Sequence, residues 1–283
     1  MMHRKQLAKS LWRSATIASV SIVLVSIVLA MAGLCLASDT PAPPEAHTLI
    51  SILQRTGDQT SAFLDEFSNV KCTEHVRQEK LGKDDKIELK EESSYDYLVI
   101  MTNVGGELNL SESRLPLHEA KRDRKNTSML LSNGFATLFL VFHPYYAQAF
   151  KFSLAGEELM DGRLLEKVTF QHVPGMRSPA ALALRGREYP LELSGAAWID
   201  PDTGAIAKIV ADIQDTLQDV GLKSLRSQIE FSPLPLPDSK PVYWFPTQAT
   251  VEVETPRQHW RNLHRFSEYK KFSVGTEEKV TSK

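Results

Sequence analysis

The sequence predicts an α+β fold in which one large, curled antiparallel sheet of about nine to eleven strands carries a few helices. Three observations lead to this. Short segments rich in β-branched and aromatic residues follow one another across most of the chain. Tight turn sequences join them, and the clearest are Asp161-Gly162 and the segment from Asp200 to Gly204. Helical spacing of apolar residues is confined to one early segment and one mid-chain segment.

The chain opens with a predicted export signal, residues 1–37. Four Lys and Arg precede an uncharged stretch from Ser14 to Ser38, the pattern of a basic region before an apolar one. Cys35 and Ala37 suit cleavage after Ala37. The stretch also reaches the roughly 20 residues that a membrane-spanning helix needs. Two alternatives stay open: a cleaved signal peptide, or an uncleaved inner-membrane anchor through residues 15–37. Both make the remainder periplasmic or otherwise exported.

Charge and cysteine content limit the partners of the exported part. The leader holds four of the 33 Lys and Arg and none of the 35 Asp and Glu, so the remainder carries a net charge near −6. A mildly acidic protein without a basic stripe is a poor nucleic-acid binder, so no nucleic-acid partner is expected. Cys72 is the only cysteine after the leader, which excludes an internal disulfide. We expect its thiol to be buried, because free cysteine packs as a small apolar residue.

The predicted elements begin after a proline-containing linker, residues 38–47. Apolar residues between Leu49 and Phe67 recur at helical intervals that are interrupted near Gly57, which predicts one kinked helix or two short ones. From Val70 onward the period becomes two. The predicted strands of the first half are Val70–Lys80, Ile87–Lys90, Tyr95–Thr102 and Glu107–Leu110.

The mid-chain segment from Met129 to Phe150 is apolar nearly all round. At about 14 residues before Pro144 it is too short to span a membrane, so it predicts a core helix or a helix that covers an apolar cavity. Hairpins follow it. The predicted strands are Phe152–Met160, Arg163–His172, Leu191–Ile199, Ala205–Ile213, Leu222–Phe231, Gln248–Glu254 and Trp260–Val274. Residues 48–274 are thus expected to form a single β domain, with a polar tail at 275–283.

No motif predicts catalysis, a metal site or a cofactor. The segment Asp200 to Gly204 resembles the start of a calcium loop, but its glycine comes one position early and Ala211 stands where the closing Glu belongs. His259 and His264 are separated by five residues and would face opposite sides of a strand. Gly-x-Ser-x-Gly and Ser-x-x-Lys nucleophile motifs are absent. The sequence therefore predicts a protein that is not an enzyme, and a hydrolase built from scattered carboxylates is the least favoured hypothesis.

Apolar residues on the predicted strands and on the mid-chain segment could face each other. This would form either an ordinary packed core or a cavity that holds a lipid chain. The candidate lining residues are Phe135, Leu138, Phe139, Phe142, Trp198, Ile209, Ile213, Val251 and Val253.

The order of these elements resembles a known family. The turn segment reads Gly195-Ala196-Ala197-Trp198-Ile199-Asp200-Pro201-Asp202-Thr203-Gly204, and such hairpins are frequent in the periplasmic lipoprotein-carrier superfamily of LolA, LolB and the N-terminal domain of RseB. The resemblance implies an unclosed β-barrel with its helices as a lid over a hydrophobic cavity that binds acyl chains. The leading hypothesis is a non-enzymatic exported protein that binds lipid or a lipidated protein. The alternative is an interaction or sensor module with a protein partner in the cell envelope.

Overall fold

A computed structural model of the chain describes residues 48–104, 107–118, 138–184, 187–217, 220–236 and 242–272. The predicted leader, linker and tail lie outside these residues, as does Phe135. The prediction of one domain over residues 48–274 stays a prediction. Among the described helices, none combines the length and the apolar character that crossing a bilayer requires.

Twelve strands occur in the described part of the chain. In chain order they are β1 (Val70–Leu81), β2 (Ile87–Val104), β3 (Glu107–Pro116), β4 (Phe150–Met160), β5 (Arg163–His172), β6 (Ala181–Leu184), β7 (Arg187–Pro190), β8 (Leu193–Ile199), β9 (Ile206–Ile213), β10 (Ser224–Leu234), β11 (Tyr243–Glu254) and β12 (His259–Lys271). Ten form one antiparallel sheet in the order β3-β2-β1-β12-β11-β10-β9-β8-β5-β4, and β6 and β7 form a small separate sheet. Within the described ranges no ladder joins the edge strands β3 and β4, so the sheet is unclosed. The predicted fold class is confirmed.

Helix α1 (Leu49–Phe67) begins at a capping box. Thr48 Oγ1 accepts a hydrogen bond from the Ser51 N–H at 3.2 Å, and Ser51 Oγ accepts one from the Thr48 N–H at 3.1 Å. Two backbone donors of the first turn are thereby satisfied. The helix buries one stripe of side chains, namely Ile52, Thr56, Gly57, Thr60, Phe63, Leu64 and Phe67, which packs against the inner face of the sheet.

The predicted kink near Gly57 is wrong, because α1 runs unbroken through this residue. A Cβ at Gly57 would lie 3.5 Å from the Phe142 carbonyl oxygen and 3.6 Å from the Pro144 ring. These are ordinary van der Waals distances, so an alanine would fit at position 57 without displacing the mid-chain segment. Gly204 differs, because its φ is +75° and a Cβ would come within 2.6 Å of the Arg55 backbone. The turn that ends at Gly204 thus packs directly on α1.

The mid-chain segment differs from the predicted long helix. Its described part is a short 3-10 helix, Leu138–Phe142, followed by the four-residue helix α2 (Pro144–Ala147). All five side chains of the 3-10 helix are buried. A segment that is buried on every side has no polar face and therefore no amphipathic period. The apolar sequence alone could not distinguish a short 3-10 helix from a longer α-helix. Residues 129–137 of the prediction lie outside the described part.

Several strand boundaries also differ from the predictions. Strand β2 is one strand of 18 residues where two were predicted, because its polar middle (Glu91 to Ser94) pairs with β1 without a break. Strand β10 continues through Pro233 to Leu234, and β11 begins at Tyr243. The turn at Asp161-Gly162 is as predicted, with both residues at positive φ (49° and 77°).

The sheet divides at one end between β11 and β12. These strands pair only over seven residues each, from Gln248↔Arg265 to Glu254↔His259. Before Gln248, β11 stays with β10, and after Arg265, β12 stays with β1. We call the gap between Tyr243–Thr247 and Phe266–Lys271 the sheet split.

Candidate functional site

The structure places most of the predicted lining residues in one core. Leu138, Phe139, Phe142, Ile209, Val251 and Val253 are buried in it, and Ile213 packs against it half-buried. Trp198 is not brought together with them. Ala197 and Ile199 point into the core, so the residue between them points out, and Trp198 forms a small cluster with Leu165 and Val210 on the other face of the sheet. Its indole N–H donates to Glu158 Oε2 at 2.7 Å.

The space between α1, the 3-10 helix and the sheet is filled. The Phe63 ring lies 4.9 Å from the Phe139 ring and 5.3 Å from the Phe245 ring, both edge-on. The cavity beside them measures about 20 Å³, room for roughly one water molecule. Seven of the nine predicted lining residues, all except Phe135 and Trp198, therefore belong to a packed core in this structure.

A pocket of about 360 Å³ lies instead in the sheet split, and we call it the split pocket. Binding pockets for small molecules span roughly 300–1,000 Å³, so this volume can hold an apolar chain. Its lining residues are Ser232, Pro233, Leu234, Pro235, Leu236, Phe245, Thr247, Phe266, Ser267, Glu268 and Tyr269. Leu236, Phe245 and Phe266 are also members of the core, so the pocket reaches the edge of the packed interior.

Two local backbone features accompany the split. Pro246 lacks an N–H and cannot donate to a strand on its open side. On β12 the pairing with β1 shifts register between Lys71 and Thr73, and Glu268 adopts a positive φ of 54°. Such a bulge bends a strand and redirects its side chains.

Tyr269 spans the split from one side to the other. Its hydroxyl donates to the Pro246 carbonyl oxygen at 2.5 Å, and its ring lies 4.8 Å from the Phe245 ring. Burial, together with the nearby Cys72 thiol, raises the pKa of Tyr269 well above its usual value, so the hydroxyl remains a donor. Tyr269 therefore forms a polar bridge across the sheet split.

Cys72 lies behind Tyr269 and is buried, as predicted. Burial raises the pKa of its thiol to about 12, and the hydrogen bond with Tyr269 only partly offsets this. Because the thiolate is the nucleophilic form, Cys72 is a poor nucleophile at neutral pH.

A buried group of charged residues lies on the inner face of β1, β3 and β12. Glu74 accepts hydrogen bonds from Arg114 Nε at 2.5 Å and Arg114 Nη2 at 2.9 Å, and from His264 Nδ1 at 2.8 Å. Arg114 Nη1 also lies 3.0 Å from Glu112 Oε2. We call Glu74, Glu112, Arg114 and His264 the ionic cluster. It adjoins the split pocket, because the Phe266 ring stacks on His264 with centroids 6.5 Å apart.

The protonation states in the ionic cluster follow from its contacts. Burial would raise the pKa of the Glu74 carboxyl, but the hydrogen bonds from His264 and Arg114 hold it below its usual value. Burial lowers the pKa of His264, and this outweighs the opposing effect of Glu74. At neutral pH the cluster thus holds an ionised Glu74, a charged Arg114 and a neutral His264. Glu74 and Glu112 both contact Arg114, which holds the inner faces of β1 and β3 together.

A larger groove, about 1130 Å³, runs over β2, β1, β12 and β11. Two cross-strand rows form much of its floor, Ser94-His75-Arg265-Gln248 and Glu92-Arg77-Leu263-Thr250. Most of these side chains are polar or charged, so a ligand in the groove would meet ionic and hydrogen-bonding groups beside the apolar surface of Tyr95 and Leu263.

Other motifs considered in the sequence have structural roles. Asp200 Oδ1 accepts hydrogen bonds from the N–H groups of Asp202 and Thr203, which forms a turn. His259 lies near Asp85, whereas His264 belongs to the ionic cluster. Among the described residues, no group of three or more His, Cys, Asp and Glu is placed to hold a metal ion.

Sequence reasoning missed both the split pocket and the ionic cluster. A usable signal for the pocket was present in the prolines at 233, 235 and 246, which limit strand pairing. For the cluster, the alternation along β1 places Cys72, Glu74 and Val76 on one face, which marks Glu74 as an inward carboxylate. Its partners are 40 and 190 residues away, beyond any local pattern.

Comparison with known proteins gives weak likenesses. No protein-family model matches the chain, and no curated protein matches it. Among solved structures, it is similar to a DUF1329 family protein from Desulfovibrio piger ATCC 29098, with 14% identity, a TM-score of 0.42 and coverage of 80% of this chain and 95% of that chain. It is also similar to a putative outer membrane lipoprotein-sorting protein domain from Vibrio parahaemolyticus, with 11% identity, a TM-score of 0.36 and coverage of 80% and 94%. The resemblance drawn from the order of elements thus has counterparts among solved structures, and at these scores it carries no weight for function.

Proposed function

We propose that the protein is an exported, periplasmic binding protein that holds the apolar chain of a lipid or of a lipidated protein in the split pocket. The observation that carries this proposal is the pocket itself: about 360 Å³, walled by leucine, proline and aromatic side chains. The space under α1, at about 20 Å³, is too small for a chain unless the core rearranges. The proposed site is therefore next to the one expected from the sequence.

The walls of the split pocket suit an extended chain. Leu234 ends β10 and Leu236 follows it, and Phe245 and Phe266 come from the two strands that diverge. Contact with these side chains would remove apolar ligand surface from water at about 25 cal/mol per Å². No hydrogen bond along the chain is required, so the walls can accept chains of different lengths.

The lining residues predicted from the sequence lie in the core that packs behind the wall of the split pocket. Phe63 touches both Phe139 and Phe245 through its ring, so the filled core holds Phe245 in position against the pocket. Ile209, Val251 and Val253 extend the same apolar layer. We infer a supporting role for them, with direct contact to a ligand made by the residues of the split.

The proposal is tested by filling the pocket from its rim. The full chain, purified from the cell envelope, is titrated calorimetrically with octanoyl glycerol, a neutral single-chain lipid. Ser232→Trp places a large side chain in the pocket from an exposed position, and we expect affinity to fall by about tenfold or more. Ser224→Trp, at the exposed other end of β10, is the matched control and should bind as the wild type does.

The result that would overturn the proposal is equal binding by the two tryptophan variants, or no binding by the wild type. Circular dichroism of both variants checks that the sheet is intact. Co-purifying acyl lipid that is present in the wild type and in Ser224→Trp, and is lost from Ser232→Trp, would support the same site by mass spectrometry.

A further inference from the structure

The larger groove over β2, β1, β12 and β11 lies on the outer face of the sheet. His75 and Arg265 line it and are exposed, whereas the adjacent residues on the same strands, Val76 and His264, are buried. Because successive side chains of a strand point to opposite faces, the open space of the groove lies on the side of His75 and Arg265. Among the described residues, its lining shares no member with that of the split pocket.

Three basic side chains come together in this groove. Arg265 on β12 is directly opposite His75 on β1, and Arg77 is two residues further along β1 on the same face. Directly opposite residues of antiparallel strands have Cβ atoms about 5 Å apart, and alternate residues of one strand are about 7 Å apart. The three side chains are therefore close enough to contact one bound group.

The carboxylate of Glu79 is shared by two arginines beside the groove. It is buried, and it accepts hydrogen bonds from Arg77 Nε at 2.5 Å and from Arg261 Nη2 at 2.7 Å. Arg261 also lies 4.0 Å from Glu252. Arg77 is thereby held in place, and one buried carboxylate serves two guanidinium groups.

Glu92 is an acidic member of the described lining, and it has a cation of its own. Its Oε1 lies 2.9 Å from Lys90 Nζ. Together with Arg265, the four cationic side chains of these described groups accompany three carboxylates, so one positive charge is in excess. On a protein that is otherwise mildly acidic, such a local excess favours an anionic ligand.

Hydroxyl groups lie among these charges. Ser94 Oγ is 2.8 Å from His75 Nδ1, and Thr250 lines the groove from β11. Groups that can donate hydrogen bonds thus come from four adjacent strands. A tetrahedral phosphate has oxygens that point in several directions and can accept from all of them, whereas a carboxylate offers two oxygens in one plane.

We propose that the larger groove is a second binding site and that it takes a phosphate-bearing ligand, with Arg265, His75 and Arg77 around the phosphate. The guanidinium group of Arg265 can bind two phosphate oxygens at once. The volume of about 1130 Å³ leaves room for the group that carries the phosphate. The same chemistry would recognise a soluble phosphate ester or the headgroup of a phospholipid. This site does not depend on the split pocket.

The test uses two probes without acyl chains, so that the split pocket takes no part. Glycerol 3-phosphate represents a soluble phosphate monoester, and glycerophosphoglycerol represents the phosphodiester headgroup of phosphatidylglycerol. Each is titrated calorimetrically into the full chain at neutral pH and low salt, with glycerol as the uncharged reference. We expect binding of at least one ester, weakened by added salt, and none of glycerol. Tighter binding of the monoester would indicate a soluble ligand, and tighter binding of the diester would indicate a lipid headgroup.

Arg265→Gln removes the charge and the two-pronged donor from an exposed position, and affinity for the preferred ester should fall by about tenfold. Arg265→Lys keeps the charge alone and should lose less. Arg257→Gln is the matched control, because Arg257 is an exposed arginine in the turn between β11 and β12, outside the described lining. It should bind as the wild type does, and circular dichroism checks that all three variants are folded.

Absence of binding of both esters by the wild type, equal binding of glycerol, or equal affinity in Arg265→Gln and Arg257→Gln would overturn the proposal. Octanoyl glycerol, the probe of the split pocket, should bind Arg265→Gln as it binds the wild type. Failure of either binding proposal therefore leaves the other standing.

Discussion

The inner face of the sheet is mainly apolar on one side of the split, and on the other side it combines apolar residues with a buried ionic cluster. From β4 through β11 it carries the phenylalanine-rich core under α1, where rings lie about 5 Å apart, as for Phe63 and Phe139 at 4.9 Å. On β12, β1 and β3 the same face carries the ionic cluster, with Glu74 and His264 buried completely. The two halves meet at β11 and β12.

This difference between the two halves of the inner face indicates where the sheet can open. In the apolar half each side chain can exchange one neighbour for another at modest cost, because dispersion contacts have no fixed direction. In the charged half every group depends on a particular partner, since a buried charge without one is very unfavourable. A structural change should therefore occur at the boundary, where seven residue pairs join β11 to β12 and the ladder already stops short.

The largest expected effect comes from breaking the ionic cluster. Arg114→Met should leave two buried carboxylates without their shared partner and lower the free energy of unfolding by about 3–5 kcal/mol. Urea denaturation at neutral pH measures this. Arg226→Met is the control, because Arg226 pairs with Asp212 at an exposed site and should cost at most about 1 kcal/mol. Similar losses in both variants would contradict the contrast between the charged half and an ordinary surface.

The sequence was informative where neighbouring residues decide the structure. The turn at Asp161-Gly162 follows from two adjacent residues that tolerate positive φ, and the presence of α1 follows from the helical spacing of apolar residues between Leu49 and Phe67. The burial of Cys72 followed from its setting in a strand. These features depend on local chemistry alone, so a single sequence can predict them.

The candidate site could not be predicted in the same way. The split exists because β11 pairs with β10 before Gln248, whereas β12 pairs with β1 after Arg265. Pro246 limits the pairing of β11, but neither strand alone indicates which neighbour each one keeps. Trp198 was grouped with Ile209 as a lining residue. In the hairpin register Ile209 is opposite Ala197 and Trp198 is opposite Lys208, so the two point to different faces. Only the register of the folded hairpin separates them.

A smaller effect is expected on the stability of the protein at acidic pH. The folded-state pKa values of His264 and Glu74 both lie below their ordinary values of 6.5 and 4.5. The unfolded chain therefore binds protons first as the pH falls, and stability should decrease below about pH 6.5 through His264 and further below about 4.5 through Glu74. Each pH unit between the unfolded and folded pKa corresponds to about 1.4 kcal/mol.

His264→Gln should reduce the loss of stability between pH 7 and pH 5, because glutamine can donate to Glu74 and does not titrate. Urea denaturation at the two pH values gives the difference. Part of the pH dependence should remain, since burial also lowers the pKa of His143. His75→Gln, at an exposed position, should change nothing, and a pH dependence that is the same in His264→Gln as in the wild type would contradict the assigned role of the cluster.

The smallest expected effect comes from removing the hydrogen bond that crosses the sheet split between β11 and β12. Tyr269→Phe removes the hydrogen bond to the Pro246 carbonyl and should lower the free energy of unfolding by only about 1 kcal/mol. Cys72 behind it reports the opening, because its thiol is buried and protonated when the split is closed. If the split opens locally, thiol labelling of Cys72, followed on its peptide by mass spectrometry, should become about fivefold faster. Tyr95→Phe on β2 is the control. If the labelling rate of Cys72 changes only in proportion to the free energy of unfolding in both variants, the prediction is contradicted. The two halves of the sheet would then separate only when the whole sheet unfolds.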